Sequence, residues 1–572
     1  MEPLSHIDVL VCGAGPVGIL TVLGLAQQGI STLIIEKRER HVQETIGRAC
    51  TLYPRTLELL EQLDVAEEVT RAAFIGRTYA VFRDGKRISR KAWQAMGPLM
   101  DNSFHNYLVN IRQRYSEDIF ATKYKAESNR PIYYGWAITG YAVDTSLSDG
   151  HNVTAMISHD TLGKRSVRCK YLIGADGGSS TVRQLAGIAM EGNETTYKWI
   201  RIDGRMKTDM PDPNVVFGSL ETQTHGNVLW CRLDRDACRI GFALTPSLQA
   251  KYPEGLAQEQ AVSEAIDALQ PFKLEIERVD WWTQYSVKQK IAETLQKDEY
   301  IFLAGDAAHT HSSAFAQGMN TGVHDATNLV WKLSGTLKGW YQPQVLVTYA
   351  DERRAAVRKM ISIDRLAAAA ISGQVPSEFQ AAGLTAEDAF HNVIETNLSF
   401  NVGLGISYRA AESSILSREP TATTLFPGMR SPDVLLLAPG PAVPMRLHSI
   451  THCANKGCWS VLVFTGARDV TRGKITALSQ RLNEPECLLK QWSNRLTLST
   501  IMLGTASNAW EVFDGPAVGR LYFDTQSLAH DRYGVYPENG AISVIRPDGV
   551  FAFAAGLDEI DHIVEFFRAI FN

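Results

Sequence analysis

The sequence lacks any close pair of cysteines: none of its eight cysteines stands in a CxxC arrangement. The missing spacing argues against the usual zinc sites and against a disulfide framework, so we expect reduced, buried thiols and no bound metal. A basic excess is missing as well, since the formal net charge is -5. A nucleic-acid partner therefore has no support in the composition.

Long apolar stretches are also missing. No run approaches the roughly 20 apolar residues that a membrane helix needs, which argues against a membrane partner. No basic segment followed by an apolar one precedes the strand-like run at residues 7–11, so nothing there is typical of a secretory signal. From these absences we expect a soluble, cytoplasmic protein. Its 572 residues correspond to about two to four domains of ordinary size.

A glycine-rich turn follows this first strand. Residues 13–18 read GAGPVG, which matches GxGxxG, and an apolar helix candidate comes directly after them. In this order Gly13 allows the tight turn, Gly15 lets the backbone approach a pyrophosphate, and Gly18 lets helix and strand pack closely. The helix N-terminus presents N–H groups and positive partial charge to the phosphates. The motif predicts a dinucleotide site, and it fits FAD and NAD equally.

The second strand-like run, at residues 32–35, ends at Glu36. A carboxylate at this point can accept hydrogen bonds from ribose hydroxyls, and it would repel a 2′-phosphate. NADP is therefore disfavoured in this particular pocket. We include the adjacent Lys37 among the expected cofactor-binding residues.

Two further segments, residues 170–188 and 300–333, decide between the two cofactors, and residues 47–60 add a further match. Residues 47–60 read GRACTLYPRTLELL, residues 170–188 read KYLIGADGGSSTVRQLAGI, and residues 300–333 open with YIFLAGDAAHTH and continue into a helix. With the opening turn, these segments are similar in order and spacing to the signatures of class A flavoprotein aromatic hydroxylases, the family that includes p-hydroxybenzoate hydroxylase and phenol hydroxylase. Residues 47–60 resemble phenol hydroxylases and bacterial polyketide hydroxylases in particular.

The resemblance implies FAD as the bound cofactor and gives roles to matching positions. Asp306 would hydrogen-bond the ribityl chain of FAD. The backbone N–H groups of Gly318, Met319 and Asn320 would face the pyrimidine edge of the flavin, at the start of the long helix. This placement makes physical sense, because reduced flavin is anionic and a helix N-terminus stabilises negative charge.

Other matching positions carry secondary roles. Arg48 and Gln113 would contact FAD, while Asp176 and Arg183 belong to a motif that the family uses for both FAD and NAD(P)H. His309 is expected to be a structural residue of its loop rather than an acid or base.

The resemblance also implies an α/β fold in three parts. A Rossmann-like FAD-binding domain would comprise residues 1–190 and 295–425, and an inserted β-sheet substrate domain would comprise residues 191–294. A thioredoxin-like C-terminal domain would follow at residues 430–572. Because Cys453 and Cys458 do not form a CxxC, we expect that domain to be structural and to lie at the interface of a homodimer.

The activity that the resemblance implies is an FAD monooxygenase dependent on NAD(P)H and O2. It would hydroxylate a small phenolic or polyketide-like aromatic molecule through a flavin C4a-hydroperoxide. There is no second GxGxxG, so NAD(P)H would bind transiently at the surface. Analogy favours NADPH over NADH.

The sequence departs from phenol hydroxylase at two catalytic positions. The family's catalytic Asp aligns with Cys50, and its active-site Tyr aligns with Gly241. Arg239 and Arg201 are our best candidates for a cation that stabilises an anionic substrate, and Tyr285 is a further polar candidate. The two departures leave epoxidation or Baeyer–Villiger oxygen insertion as alternatives, with a flavin-binding dehydrogenase as a third.

Overall fold

The computed structural model describes residues 6–43, 49–89, 95–418, 422–440, 443–452, 455–484, 487–504, 515 and 517–572. Within these ranges, no helix combines the length and apolarity that a bilayer crossing requires. The same ranges contain no group of three or more His, Cys, Asp or Glu side chains that could hold a metal ion.

The strands are numbered in chain order. They are β1 (His6–Cys12), β2 (Thr32–Glu36), β3 (Thr51–Leu52), β4 (Phe74–Gly76), β5 (Tyr79–Arg83), β6 (Lys86–Arg87), β7 (Leu108–Asn110), β8 (Tyr133–Tyr134), β9 (Ala137–Val143), β10 (Val153–His159), β11 (Gly163–Gly174), β12 (Met190–Thr208), β13 (Phe217–Thr222), β14 (Gly226–Arg232), β15 (Cys238–Ala243), β16 (Leu274–Ala292), β17 (Gln296–Lys297), β18 (Ile301–Leu303), β19 (His309–Thr310), β20 (Leu435–Leu437), β21 (Pro444–Arg446), β22 (Trp459–Phe464), β23 (Leu496–Leu503), β24 (Arg520–Asp524), β25 (Ala541–Ile545) and β26 (Phe551–Ala555).

The α-helices are numbered in the same way, and a short 3-10 helix covers Gly305–Ala307. They are α1 (Pro16–Gln27), α2 (Arg40–Gln43), α3 (Pro54–Gln62), α4 (Ala66–Ala72), α5 (Met96–Met100), α6 (Gln113–Ser128), α7 (Thr181–Leu185), α8 (Pro246–Lys251), α9 (Gln258–Ala268), α10 (Gln317–Leu337), α11 (Pro343–Ile371), α12 (Ser377–Gln380), α13 (Ala386–Thr396), α14 (Leu398–Asn401), α15 (Leu447–Thr451), α16 (Arg468–Asn483), α17 (Leu488–Gln491), α18 (Leu528–Tyr533) and α19 (Ile560–Arg568).

The first sheet is built around β1, which lies parallel to both β2 and β11, and β11 continues parallel to β18. β9 and β10 extend β11 as an antiparallel ribbon. Helices α1 and α10 pack against each other. The buried run Val9–Val11 is continuous because a parallel strand is covered on both faces. The Rossmann-like fold that the sequence predicts is confirmed.

The second sheet has the order β19-β16-β12-β15-β14-β13-β5-β6. Its two outermost strands at one edge, β5 and β6, come from residues that the sequence prediction assigned to the FAD-binding domain. They join this sheet because β5 pairs in parallel with β13, a partner more than 100 residues away in the chain, and buries Val81 and Phe82. Alternation along each strand gives the sheet two faces.

The two faces of this sheet have different partners. Ile200, Ile202 and Ile240 share one apolar core with α8 and α9. Trp199 and Cys231 lie on the opposite face and share a second core with residues of the first part of the chain, including Cys50, Tyr53 and Phe315. This second face is the one that meets the turns described below.

The third sheet has the order β21-β20-β24-β23-β22-β25-β26 and belongs to the C-terminal part of the chain. β22, β23 and β24 are parallel, while β25 and β26 are antiparallel to their neighbours. Helices α16 and α19 bury Ile475 and Ile563 in its core. The predicted third α/β domain is confirmed. Cys453 lies outside the described residues, and the Cys458 thiol donates weakly to the carbonyl oxygens of Lys456 and Asn494.

A buried ionic network joins this C-terminal domain to α10 and α11. Arg546 Nη1 and Nη2 donate to the Glu352 carboxylate at 2.7 and 3.0 Å, and Arg546 Nη2 donates to Asp548 at 2.6 Å. Lys332 Nζ donates to Glu352 at 2.9 Å. Burial alone would raise the pKa of Glu352, but the cations Arg546 and Lys332 hold it well below its usual range. A nearby cavity, lined by residues that include His324 and Asn328, contains none of the predicted site residues.

Candidate flavin and substrate site

In the opening glycine turn, Gly13 and Gly18 have no room for a side chain, whereas Gly15 between them does. A Cβ atom at Gly13 would lie 2.3 Å from the Ala175 carbonyl oxygen, and one at Gly18 would lie 1.9 Å from the Gly13 carbonyl oxygen. Gly13 also has a φ of 105°, a conformation that favours glycine. At Gly15, the residue before α1, a Cβ would meet nothing within 4 Å. No side chain caps α1, and an uncapped helix N-terminus leaves N–H groups that can receive a phosphate.

Three separate motifs meet at Val17, in the first turn of α1. A Cβ atom at Gly305, next to Asp306, would lie 2.8 Å from Val17 Cγ2, and one at Gly322 of α10 would lie 2.4 Å from the same atom. Both glycines therefore let their segments approach α1 directly. The glycine turn, the strand-to-loop turn of β18 and the first part of α10 therefore lie next to one another at Val17.

The loop that carries Asp306 is fixed by Asp325 of α10. Asp325 accepts hydrogen bonds from Gly305 N at 2.9 Å, from Arg353 Nε at 2.7 Å and from the ring of His309, whose Nε2 lies 2.6 Å away. Burial alone would raise the pKa of Asp325, but His309 and Arg353 lower it well below its usual range. Asp306 itself remains exposed, and its neighbours Gly305 and His309 hold the loop in place through their bonds to Asp325.

The start of α10 is tied to the segment that follows Cys50. Asn320 Nδ2 donates to the Thr51 carbonyl at 2.8 Å, and Asn320 Oδ1 accepts from Tyr53 N at 3.1 Å. Because its side chain is used in this way, Asn320 can offer only its backbone N–H to a ligand. No side chain caps α10, and a Cβ at Gly318 would meet nothing within 4 Å. This uncapped N-terminus suits the anionic edge of a reduced flavin.

The second face of the β12–β15–β16 sheet places a cation next to the same loop. Arg201 and Gly241 are directly opposite in the ladder, and a Cβ at Gly241 would lie 2.4 Å from Arg201 Cδ. Arg201 therefore occupies the space that a side chain at Gly241 would take. Its Nη2 donates to Ser313 Oγ at 3.1 Å, and the Tyr285 hydroxyl is hydrogen-bonded to the same oxygen.

Arg201 and Arg239 differ in how their charges are balanced. Arg239 Nε and Nη2 donate to the Asp203 carboxylate at 2.6 and 2.8 Å, and Nη1 donates to Cys50 Sγ at 3.1 Å. Arg201 is 6% exposed, and its guanidinium donates hydrogen bonds to Ser313 and to the Ile200 carbonyl. Among the described residues it forms no ion pair with a carboxylate. A buried cation without a counter-ion is costly, so Arg201 is poised to bind an anionic group.

Comparison with known proteins places the chain in a family. The family profile described as FAD binding domain matches residues 6–364, more than half of the chain. The chain belongs to this FAD-binding family. A second profile, described as Phenol hydroxylase, C-terminal dimerisation domain, matches residues 406–572.

Similar proteins of known name are monooxygenases. The protein named phenol 2-monooxygenase fsqG, from Aspergillus fumigatus, is 26% identical over 593 residues and covers 99% of this chain and 96% of its own. The 3-hydroxybenzoate 4-monooxygenase of Comamonas testosteroni is 26% identical over 495 residues, with 82% and 75% covered. The chain is accordingly an FAD-dependent monooxygenase, as the sequence predicts.

Solved structures share the fold of this monooxygenase. Aklavinone-11 hydroxylase in a ternary complex with FAD and aklavinone has a TM-score of 0.72 at 22% identity, with 98% of each chain covered. The flavin-dependent monooxygenase PieE, in complex with FAD and substrate, has a TM-score of 0.73 at 18% identity, with 99% covered. The class A hydroxylase fold is thereby confirmed.

Among the predicted cofactor residues of the monooxygenase, Glu36 contacts the glycine turn. The Glu36 carboxylate accepts from Ala14 N and Arg38 N, each at 3.0 Å, and each oxygen keeps acceptor capacity for a ribose hydroxyl. Lys37 is exposed. Gln113 Oε1 accepts from Ala49 N at 3.2 Å. The contacts of these residues with FAD stay predictions, and Arg48 lies outside the described residues.

Asp176 and Arg183 of the monooxygenase are engaged within the protein. Asp176 accepts from Thr181 N at 2.7 Å and from Val182 N at 3.1 Å, at the start of α7. Arg183 Nη1 donates to the Ala307 carbonyl at 2.8 Å. Through that bond Arg183 supports the loop that carries Asp306. Their contacts with FAD or NAD(P)H also stay predictions.

Sequence reasoning missed two residues of this site. Ser313 joins Arg201 to Tyr285, and Asp203 balances Arg239. Arg201 and Asp203 are two positions apart on one strand, and this spacing could have predicted that both lie on the same face of the sheet. No local pattern marks Ser313, because its partners come from strands more than 25 residues away in the chain.

Proposed function

We propose that this monooxygenase uses NAD(P)H and O2 to hydroxylate a phenolic or polyketide-like aromatic small molecule. The substrate would lie between the second face of the sheet and the start of α10. Relatives that act on phenol and on 3-hydroxybenzoate, by their names, support an aromatic substrate. The names of aklavinone-11 hydroxylase and of anhydrotetracycline 6-monooxygenase support a polycyclic one.

The observation that carries this proposal is the buried guanidinium of Arg201, which pairs with no carboxylate within the part of the chain that the structure describes. When bound, reduced FAD supplies the electrons that activate O2. A phenol is oxygenated more readily as its phenolate, and Arg201 would hold that anion in place by direct charge and hydrogen bonding. The hydrogen-bonded hydroxyls of Tyr285 and Ser313 would accept and pass on the phenolic proton.

Burial supports the same proposal. Phe315 is 3% exposed, and its ring stacks on Phe390 with centroids 5.9 Å apart. Phe315 belongs to the loop between β19 and α10, and its carbonyl accepts from the Tyr53 hydroxyl at 2.9 Å. This apolar wall would keep water from the reacting atoms, which limits loss of activated oxygen.

Product analysis with labelled O2 tests the proposed reaction. Hydroxylation puts one labelled atom into a new phenolic hydroxyl and requires one NAD(P)H per product. An epoxide or a ring-expanded lactone would instead support epoxidation or Baeyer–Villiger insertion. These reactions are the second candidate, because Cys50 and Gly241 stand where the family has its catalytic Asp and its active-site Tyr.

The match to a dimerisation domain supports a homodimer, which light scattering measures.

Replacing Asp306 by alanine should weaken FAD binding by about 10- to 100-fold, because a hydrogen bond from a ribityl hydroxyl to a carboxylate is lost. Equilibrium titration of the apoprotein with FAD measures the change. Asp351→Ala removes another exposed carboxylate, on α11, and should leave FAD affinity unchanged. Wild-type affinity in the Asp306 variant would contradict the proposed contact.

Replacing Gly241 by alanine should lower coupled product formation by about 10- to 100-fold while FAD content stays normal. The new Cβ would displace only the flexible end of Arg201, and small misplacements of a catalytic group have effects of this size. Gly140→Ala is the matched control, because its Cβ meets only the end of Met156 in the β9–β10 ribbon. Equal coupled product formation in the two variants would mean that the position of Arg201 does not affect the reaction.

A further inference from the structure

Three arginines lie against one tyrosine ring where the β14–β15 hairpin meets α6. The guanidinium carbons of Arg235, Arg114 and Arg112 lie 3.7, 4.6 and 5.1 Å from the centre of the Tyr115 ring. Arg235 belongs to the turn between β14 and β15, and the other three residues lie at or next to the start of α6. Contacts of this kind hold guanidinium groups in place on an aromatic ring. The proposed function uses none of these residues.

The charges of the three arginines are balanced differently. Arg112 donates to Asp234 at 2.8 Å and to Asp280 at 2.7 Å. Arg114 and Arg235, here called the arginine pair, form no ion pair with a carboxylate anywhere in the described part of the chain. Nη2 of Arg114 donates to the neighbouring tyrosine hydroxyl at 2.6 Å, and its Nε is buried without a hydrogen-bond partner. Two neighbouring cations without a counter-ion repel each other, and a bound anion would relieve this repulsion.

The start of α6 adjoins the segment that borders the proposed flavin edge. Gln113 N donates to the Ala49 carbonyl at 3.0 Å, and Gln113 Oε1 accepts from Ala49 N at 3.2 Å. Ala49 comes two residues before Thr51, whose carbonyl accepts from Asn320 of α10, and two residues of chain span at most about 7 Å. The arginine pair therefore lies near the end of α10 at which the flavin edge is proposed to bind.

A nicotinamide coenzyme has the charge and the point of action that this position suits. The sequence has no second GxGxxG, so donors other than a glycine turn have to hold the phosphates of the coenzyme. We propose that Arg114 and Arg235 bind a phosphate group of NAD(P)H and dock the coenzyme beside the flavin, an inference that rests on the proposed function. The planar N–H fork of a guanidinium matches phosphate oxygens. Arg235 is exposed, so the coenzyme can bind from solvent and leave again.

Anaerobic reduction of the FAD-loaded enzyme by NADPH and, separately, by NADH tests this proposal. The rate at which the absorbance of oxidised flavin disappears, measured over a range of coenzyme concentrations, gives a limiting rate and an apparent Kd. We expect Arg114→Met and Arg235→Met each to raise the apparent Kd by about 10-fold, because a charge-assisted hydrogen bond to phosphate is lost. The limiting rate and the FAD content should stay at the wild-type level. Arg235→Lys should recover part of the affinity, because lysine keeps the charge but loses the fork.

Arg205→Met is the control, because it removes a surface arginine of β12 that pairs with Glu277, and it should leave both Kd values unchanged. A larger effect on NADPH than on NADH would assign the arginine pair to the 2′-phosphate, and an equal effect would assign it to the pyrophosphate; both results support the proposal. Wild-type Kd values for both coenzymes in Arg114→Met and Arg235→Met, or an equal rise in Arg205→Met, would overturn it and leave the proposed function intact. A wild-type enzyme that neither coenzyme reduces would contradict the proposed function and this inference together.

Discussion

Replacing Arg201 by methionine is expected to lower coupled oxygenation by about 100- to 1000-fold, the usual cost of removing a group that stabilises developing charge. Methionine keeps much of the apolar volume but cannot hold a phenolate. The loss should appear as NAD(P)H oxidation that yields hydrogen peroxide instead of hydroxylated product. FAD content should stay at the wild-type level, because Arg201 lies on the sheet and not on the glycine turn or the Asp306 loop.

Arg205 provides the matched control, since it lies on the same strand but its side chain is 61% exposed and pairs with Glu277. Arg205→Met should retain wild-type coupling. Arg201→Lys should recover part of the activity, because lysine keeps the charge but loses the planar fork. If Arg201→Met and Arg205→Met oxygenate equally well, the substrate anion is not held by Arg201.

Replacing Arg546 by methionine is expected to lower the free energy of unfolding by about 3–5 kcal/mol. The variant leaves the buried carboxylates of Glu352 and Asp548 without their shared cation. Lys332 remains bonded to Glu352, but it cannot balance both carboxylates. Chemical denaturation, followed by tryptophan fluorescence, measures the change.

Arg481→Met is the control for this stability prediction. Arg481 forms its ion pairs with Glu484 and Asp561 at the surface, where such pairs contribute little. Its removal should leave the unfolding midpoint unchanged. An equally small effect of Arg546→Met would mean that apolar packing, such as the contact of Trp331 with Trp459, holds the C-terminal domain to α10 and α11, and not the ionic network.

The parts of the site that lie within one stretch of chain could be predicted from the sequence. The glycine turn, Glu36 at the end of β2, and the passage from β18 through Asp306 into α10 depend on local order and spacing. The structural role of His309 was predicted and agrees with its contact to Asp325. These features are local because each is set by a strand, the turn after it and the helix that follows.

The parts that depend on strand register could not be predicted in this way. Arg201 meets Gly241 only because β12 and β15 pair in one particular register, and a shift of one residue would turn Arg201 to the other face. Two other contacts also join residues that are far apart in the sequence. They are the pairing of β5 with β13 and the bond from Arg546 to Glu352, 194 positions apart. The sequence offered Arg239 and Arg201 as equals, and Asp203 distinguishes them.

We propose that the glycine turn, the Asp306 loop and the start of α10, which meet at Val17, hold one FAD beneath the Arg201 face of the sheet. A crystal structure of the monooxygenase with FAD bound tests it most directly. We expect the pyrophosphate at the N–H groups after Gly15, a ribityl hydroxyl bonded to Asp306, and the pyrimidine edge at residues 318–320. Flavin density elsewhere, or an isoalloxazine ring turned away from Arg201, would contradict the account.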